Sequence, residues 1–201
     1  EQLMELKYVV TGTGRSGTVY MARFLTSVGI PCGHETIFDW KGITWAKKRL
    51  EKSCPLELSY VSKASKINEK WRDLPQWLEN IDSIVAESSY MAAPFLKDSL
   101  LANAKIIHVV RDPVKVINSF CNYIDYFQGS EPSNTYEQLI YRQVQELKKP
   151  MPAYDRACLF WVRWNQMIQK PDFFFRVEDD PKYLMEFLGV TGRHFQDTSI
   201  N

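Results

Sequence analysis

The chain has 201 residues, 45% of them hydrophobic and 24% charged, with a formal charge of +1. That size suits one domain with a sizeable core and is short for two. The near balance of charge excludes a global field that would draw nucleic acid or an anionic membrane, and no apolar run approaches the roughly 18 residues of a membrane span.

The opening residues, EQLMELKYVV, lack the basic start and small-residue cleavage site of a signal peptide. Cys32, Cys54, Cys121 and Cys158 follow neither a zinc-ligand spacing nor the dense framework of a small secreted domain. Reduced thiols and a cytoplasmic location are expected.

In chain order, KYVVT (7–11) predicts a buried strand that runs into the glycine-rich TGTGRSGT, and 17–28 predicts a helix. The short GIPCG (29–33) predicts a second strand. Residues 36–80 then break the alternation with mixed charge, scattered aromatics and two prolines. They form a poor strand candidate, expected as an insertion that walls a substrate pocket. DSIVAE (82–87), KIIHVV (105–110) and DFFFRV (172–177) predict three more strands. Helices are expected over 93–102, 113–127 opening on Pro113, 135–149, 153–169, and 180–188 closing on Gly189. The alternation predicts a single α/β domain over 1–201, with a central, mostly parallel sheet flanked by helices.

The first loop has the context of a phosphate cradle: a strand before it, a helix after it, and glycines that let successive N–H groups face one anion. Gly12 and Gly17 have the spacing of a nucleotide-hydrolysing P-loop, yet Thr18 and Val19 occupy the lysine and magnesium-ligand positions. Metal-assisted kinase chemistry is thereby disfavoured. Arg15, with the hydroxyls of Ser16 and Thr18, leaves a loop able to hold a phosphate without a metal. A dinucleotide G-x-G-x-x-G reading matches Gly12, Gly14 and Gly17 in spacing but lacks an acidic residue ending a second strand about 20 residues on, as a ribose contact requires; Glu35, near that distance, is what keeps it as an alternative.

IIHVVRDPVKVINSF (106–120) is a second strand-to-helix junction, with Arg111 at the strand end and Ser119 about two turns into the helix. Asp112 could cap that helix. Taken together, TGTGRSGT, VVRDPVKVINS and FFFRVEDDPKYLMEFLGV resemble, in order and interval, the sulfotransferases that use 3′-phosphoadenosine 5′-phosphosulfate (PAPS). The motif style is closest to the bacterial and tyrosylprotein-type branches. The resemblance covers residues 7–35, 82–121 and 172–190. It implies the P-loop-like sulfotransferase fold and PAPS as cofactor, released as 3′-phosphoadenosine 5′-phosphate, with no metal. It also implies that Thr13, Gly14, Arg15, Ser16, Gly17 and Thr18 hold the 5′ end, and Arg111 with Ser119 the 3′-phosphate. The expected acceptor is a hydroxyl of a glycan, lipid or small molecule.

Transfer of this kind needs a base within reach of the acceptor hydroxyl. In PCGHETIF the resemblance implies Glu35 as that base, with His34 the alternative and Arg15 supporting the leaving phosphate. His108 reads as core, and Arg176 with Glu178 as a structural pair. Ser88 and Ser89 are open between sulfuryl donors and helix caps. Trp40, Trp45, Tyr60, Trp71 and Trp77 are open between lining an acceptor site and packing the insertion. The tail offers only Arg193 for adenine or 3′-phosphate contacts. The rival readings are a P-loop kinase or nucleoside triphosphatase, and an inactive binding protein of the same fold.

Overall fold

Short apolar runs become strands here because both faces of the sheet they form are covered. The computed structural model describes residues 5–51 and 84–191. Its strands are β1 (Tyr8–Thr11), β2 (Cys32–His34), β3 (Ala86–Ser88), β4 (Lys105–Val110) and β5 (Phe173–Arg176). They form one sheet in the order β2-β3-β1-β4-β5, and every pair is parallel. Each crossover therefore returns the chain to the same end of the sheet, as the sequence predicts.

The helices are α1 (Thr18–Ser27), α2 (Ile43–Leu50), α3 (Pro113–Ser119), α4 (Thr135–Gln143), α5 (Ala153–Met167) and α6 (Lys182–Leu188). Neighbouring residues of β1 serve opposite layers. Val9 packs with the cluster that contains Val116, Phe160 and Trp164, while Val10 packs with Met21, Phe24, Leu25 and Leu184. All of these side chains are buried. Burying a residue such as Phe160 contributes about 1.5–3 kcal/mol, so the two layers together hold the strands' ends in register.

Several elements differ from expectation, each for a local reason. The second strand starts at Cys32, because Gly29 sits at φ 88° and Gly29 and Ile30 bond back to the end of α1. A regular helix over 93–102 gives way to two 3-10 turns, Tyr90–Phe95 and Ser99–Leu101. Pro94 lies inside the first, and Ser89 and Asp98 cap the two starts. The helix expected over 113–127 ends at Ser119 and widens into a π turn, Phe120–Ile124, closed by Asp125 at φ 58°. The expected 135–149 helix splits into α4 and a 3-10 turn, Gln145–Lys148. Within the insertion α2 was not foreseen; Ala46 and Leu50 bury one face, but Gly42 gives it no side-chain cap. Residues 52–80 of that insertion lie outside the described residues.

The register aligns the strands' carboxyl ends. His34 pairs with Ser88, Val10 with Ser88, and Thr11 with His108. Beyond that edge come, side by side, the turn after β2, the turn after β3, the glycine loop after β1 and Arg111 after β4. Open parallel sheets bind ligands at this edge, where the crossovers diverge to either side of β1.

Candidate active site

The loop between β1 and α1 is built from its own hydroxyls. Ser16 Oγ donates to the Thr13 carbonyl, Thr13 Oγ1 donates to Ser16 Oγ at 3.3 Å, and Ser16 N donates to Thr13 O at 3.3 Å. Thr13, Ser16 and Thr18 are all buried. The hydroxyls of Thr13 and Ser16 thus shape the loop, and its outward donors are backbone N–H groups. Among the described residues, those of Gly14, Arg15, Gly17 and Thr18 meet no acceptor. Gly17 caps α1 at φ 104° with no side-chain bond to the helix start, so the helix's first donors are open to an anion.

All three glycines of this loop are required by contact, Gly12 because a Cβ there would stand 2.1 Å from the Val109 carbonyl oxygen, and Gly17 at φ 104° is required by conformation as well. A Cβ on Gly14 would stand 2.9 Å from the Phe120 ring, and one on Gly17 would stand 2.5 Å from Val177 Cγ1. The loop is therefore pressed against both later motifs.

Arg15 stands at φ 64°, and its Nε donates to Ser119 Oγ at 2.8 Å, across 104 positions of sequence. The glycine loop and the second strand-to-helix junction are in this way brought to one place. The Arg15 side chain reaches the serine of the second strand-to-helix junction while its backbone belongs to the glycine loop. Arg111, partly buried at the end of β4, has no hydrogen-bond or ion-pair partner among the described residues. Its neighbour Asp112 caps α3, accepting from Val114 N at 2.8 Å and Lys115 N at 3.2 Å.

On the other side of the edge, Glu35 follows β2 at φ 49°, and its side chain is 10% exposed. The Tyr136 hydroxyl of α4 donates to Glu35 Oε2 at 3.1 Å. His34 is buried, with Nδ1 2.8 Å from the Ser88 carbonyl and Nε2 3.9 Å from Glu35 Oε1. A carbonyl only accepts, so Nδ1 carries the proton and Nε2 is the nitrogen turned to Glu35.

Tyrosines connect this carboxylate to the glycine loop. Tyr90 and Tyr136 stack with ring centroids 6.5 Å apart, and the Tyr90 ring lies 3.5 Å from where a Cβ on Gly14 would stand. Burial, then the charge of Glu35, pushes the phenols of Tyr90 and Tyr136 well above the ordinary range, so both remain neutral donors. Asp39, also raised by burial, lies near Tyr136 and is tied to the Lys41 backbone at 2.7 Å.

Other residues singled out by sequence are structural. Ser88 Oγ donates to Thr18 O at 2.6 Å, and Ser89 Oγ donates to Phe38 O at 2.7 Å while accepting from Met91 N. Both hydroxyls are committed to protein partners. His108 Nε2 lies 2.8 Å from Asn165 Oδ1, its ring meets Phe174 edge-on, and burial lowers its proton affinity. Glu178 accepts from Asp112 N at 2.9 Å and pairs with Arg176 at 4.0 Å. Lys41 stacks over Trp45, its Nζ 3.9 Å from the ring centroid. Cys54, Tyr60, Trp71, Trp77, Arg193 and His194 lie outside the described residues.

Tyr136 and Tyr90 are the site residues that sequence reasoning missed. Tyr136 lies 101 positions from Glu35, in a helix whose pattern says only that it is amphipathic. Tyr90 did carry a signal, the strand end AESSY, where the serines drew the attention.

The arrangement joins an array of open backbone donors and two arginines to a carboxylate reached through one tyrosine pair. Chemically it can hold a substrate with separated anionic groups and take a proton beside one of them. Among the described residues no group of three or more His, Cys, Asp or Glu is placed to hold a metal ion, and no helix is long and apolar enough to cross a membrane. Compared with known families, residues 8–177 match the sulfotransferase family. No curated protein matches the chain.

Proposed function

We propose, from the premise that the chain belongs to the sulfotransferase family, that it moves a sulfuryl group from PAPS to an acceptor hydroxyl of a glycan, lipid or small molecule. The residues present suit that donor. Open N–H groups at Gly14, Arg15, Gly17 and Thr18 fit its 5′ end, and Arg111 with Ser119 fits the 3′-phosphate. Bound PAPS supplies an electrophilic sulfur whose in-line transfer leaves a phosphate, in close analogy to phosphoryl transfer.

The protein's part is positioning, charge stabilisation and proton removal. Backbone donors and Arg15 face the charge that develops on the leaving phosphate and need no reorganisation to do so. Ser119 holds the Arg15 guanidinium by its Nε. Glu35 takes the acceptor proton. His34, its Nδ1 tied to Ser88 O, presents Nε2 to Glu35, and the Tyr136 hydroxyl fixes the second carboxylate oxygen. The described part of the insertion, residues 36–51 with α2, is read as a wall of the acceptor side. A cytoplasmic location and action without a metal complete the reading.

The observation that carries it is the 2.8 Å bond from Arg15 to Ser119, which merges two distant anion motifs at one sheet edge. The test is an acceptor screen with labelled PAPS, run on the wild type and on Glu35→Gln. Transfer should fall on the order of 100- to 10,000-fold in the variant while 3′-phosphoadenosine 5′-phosphate binds equally well. A fully active Glu35→Gln would remove Glu35 as the base.

A further inference from the structure

We propose that Glu87 is a positioning residue for this reaction: a proton-bearing carboxyl, closed in by the sheet, that holds the turn after β2 and thereby Glu35. The proposal rests on the reading of Glu35 as the base.

Glu87 lies in the middle of β3, flanked by Val9 of β1 and Gly33 of β2, and is 0% exposed. Its Oε1 accepts from Ile37 N at 2.9 Å and Phe38 N at 3.3 Å. Those two amides follow directly on the left-handed Glu35 and the buried Thr36, so one carboxyl oxygen anchors the turn that sets the base's direction. Its Oε2 has no hydrogen-bond partner among the described residues. Room for this oxygen comes from Gly33, where a Cβ would stand 2.4 Å from Oε2 and 2.8 Å from Thr36 Oγ1.

A fully buried carboxylate with one bare oxygen is strongly disfavoured, and protonation removes the charge. The surroundings give the same answer. Glu35, from the turn after β2, adds a like charge, and the Cys32 thiol of β2 lies near enough to feel Glu87. Arg49 of α2 is directed to the Thr36 carbonyl, with its Nε at 3.1 Å. His34, also on β2, is bonded to Ser88 O. Burial first, and the charge of Glu35 in addition, push the Glu87 carboxyl up to about 8, against the opposing pull of the Ile37, Phe38 and Thr36 amides.

A neutral Glu87 lets Glu35 carry the negative charge of a base without a second charge beside it. Raised proton affinity in the folded state means that stability from this group is full below its ordinary carboxylate range and is lost as pH rises through about 8. Glutamine at this position would keep the acceptor oxygen and the neutral charge at every pH.

The experiment compares wild type, Glu87→Gln and Glu87→Ala. Infrared spectra of the wild type at about pH 7 should show a protonated-carboxyl band that Glu87→Gln lacks and that fades as pH rises through about 8. Ionisation of Glu87 above about pH 8 removes its support of the turn and sets a second charge beside Glu35, so wild-type turnover of PAPS with water as the acceptor should decline there, while Glu87→Gln should turn over without that decline. Turnover should fall on the order of 10- to 100-fold in Glu87→Ala, because the base is misplaced. Absence of the band, an identical alkaline decline in Glu87→Gln, or full turnover by Glu87→Ala would each overturn the proposal. Full activity of Glu35→Gln would instead defeat the base assignment, with the band still reporting the Glu87 proton.

Discussion

Arg15 and Glu35 stand at φ 64° and 49°, a region that costs a non-glycine residue about 1–3 kcal/mol unless its surroundings compensate. The compensation is visible: Ser119 holds Arg15, while Tyr136 and the Glu87-anchored turn hold Glu35. Arg111 differs, since it makes no hydrogen bond or ion pair among the described residues, and the proposed function gives its guanidinium to the 3′-phosphate. Arg111→Ala is therefore expected to fold as the wild type does and to weaken binding of 3′-phosphoadenosine 5′-phosphate by about 10- to 100-fold, measured by titration calorimetry. Unchanged affinity would remove Arg111 from the site. Residues such as Arg15, Arg111 and Glu35 were legible in sequence because each adjoins a glycine loop or strand end. Tyr136 was not, because its role depends on a contact made only after the chain has crossed the sheet.

Among the elements, the start of α1 carries the most constraint. Gly17 combines φ 104° with a 2.5 Å approach of its missing Cβ to Val177, so Gly17→Ala must strain the backbone and push the loop off the strand β5 side. A loss of about 1–3 kcal/mol in urea unfolding, together with weaker nucleotide binding, is expected. A variant as stable as the wild type would mean that the loop can shift freely. The strands and this loop were readable because apolar runs and glycines act locally. The end of α3 was not: the sequence pattern runs on helically, but the π turn brings Phe120 against Gly14 and leaves Ser119 facing Arg15. Pro94 falls in the first turn of the helix expected over 93–102, where proline is tolerated, so the break into two 3-10 turns was not legible from it.

Among the described residues, five parallel strands bring four turns to one edge, and this explains how motifs a hundred residues apart become neighbours. The order of strands could be anticipated only as a class, since alternation predicts parallel pairing but not which strand lies where. Glu87 shows the same limit: its anchoring of the turn after β2 exists only because β3 lies between β1 and β2. The proposed function requires this edge to hold a nucleotide with a 3′-phosphate. It is tested most directly by the melting temperature with saturating 3′-phosphoadenosine 5′-phosphate against ATP with magnesium. At about 100 times the dissociation constant, the melting temperature should rise by about 5–10 °C with the former and much less with the latter. Equal shifts, or a larger one with ATP and magnesium, would contradict it.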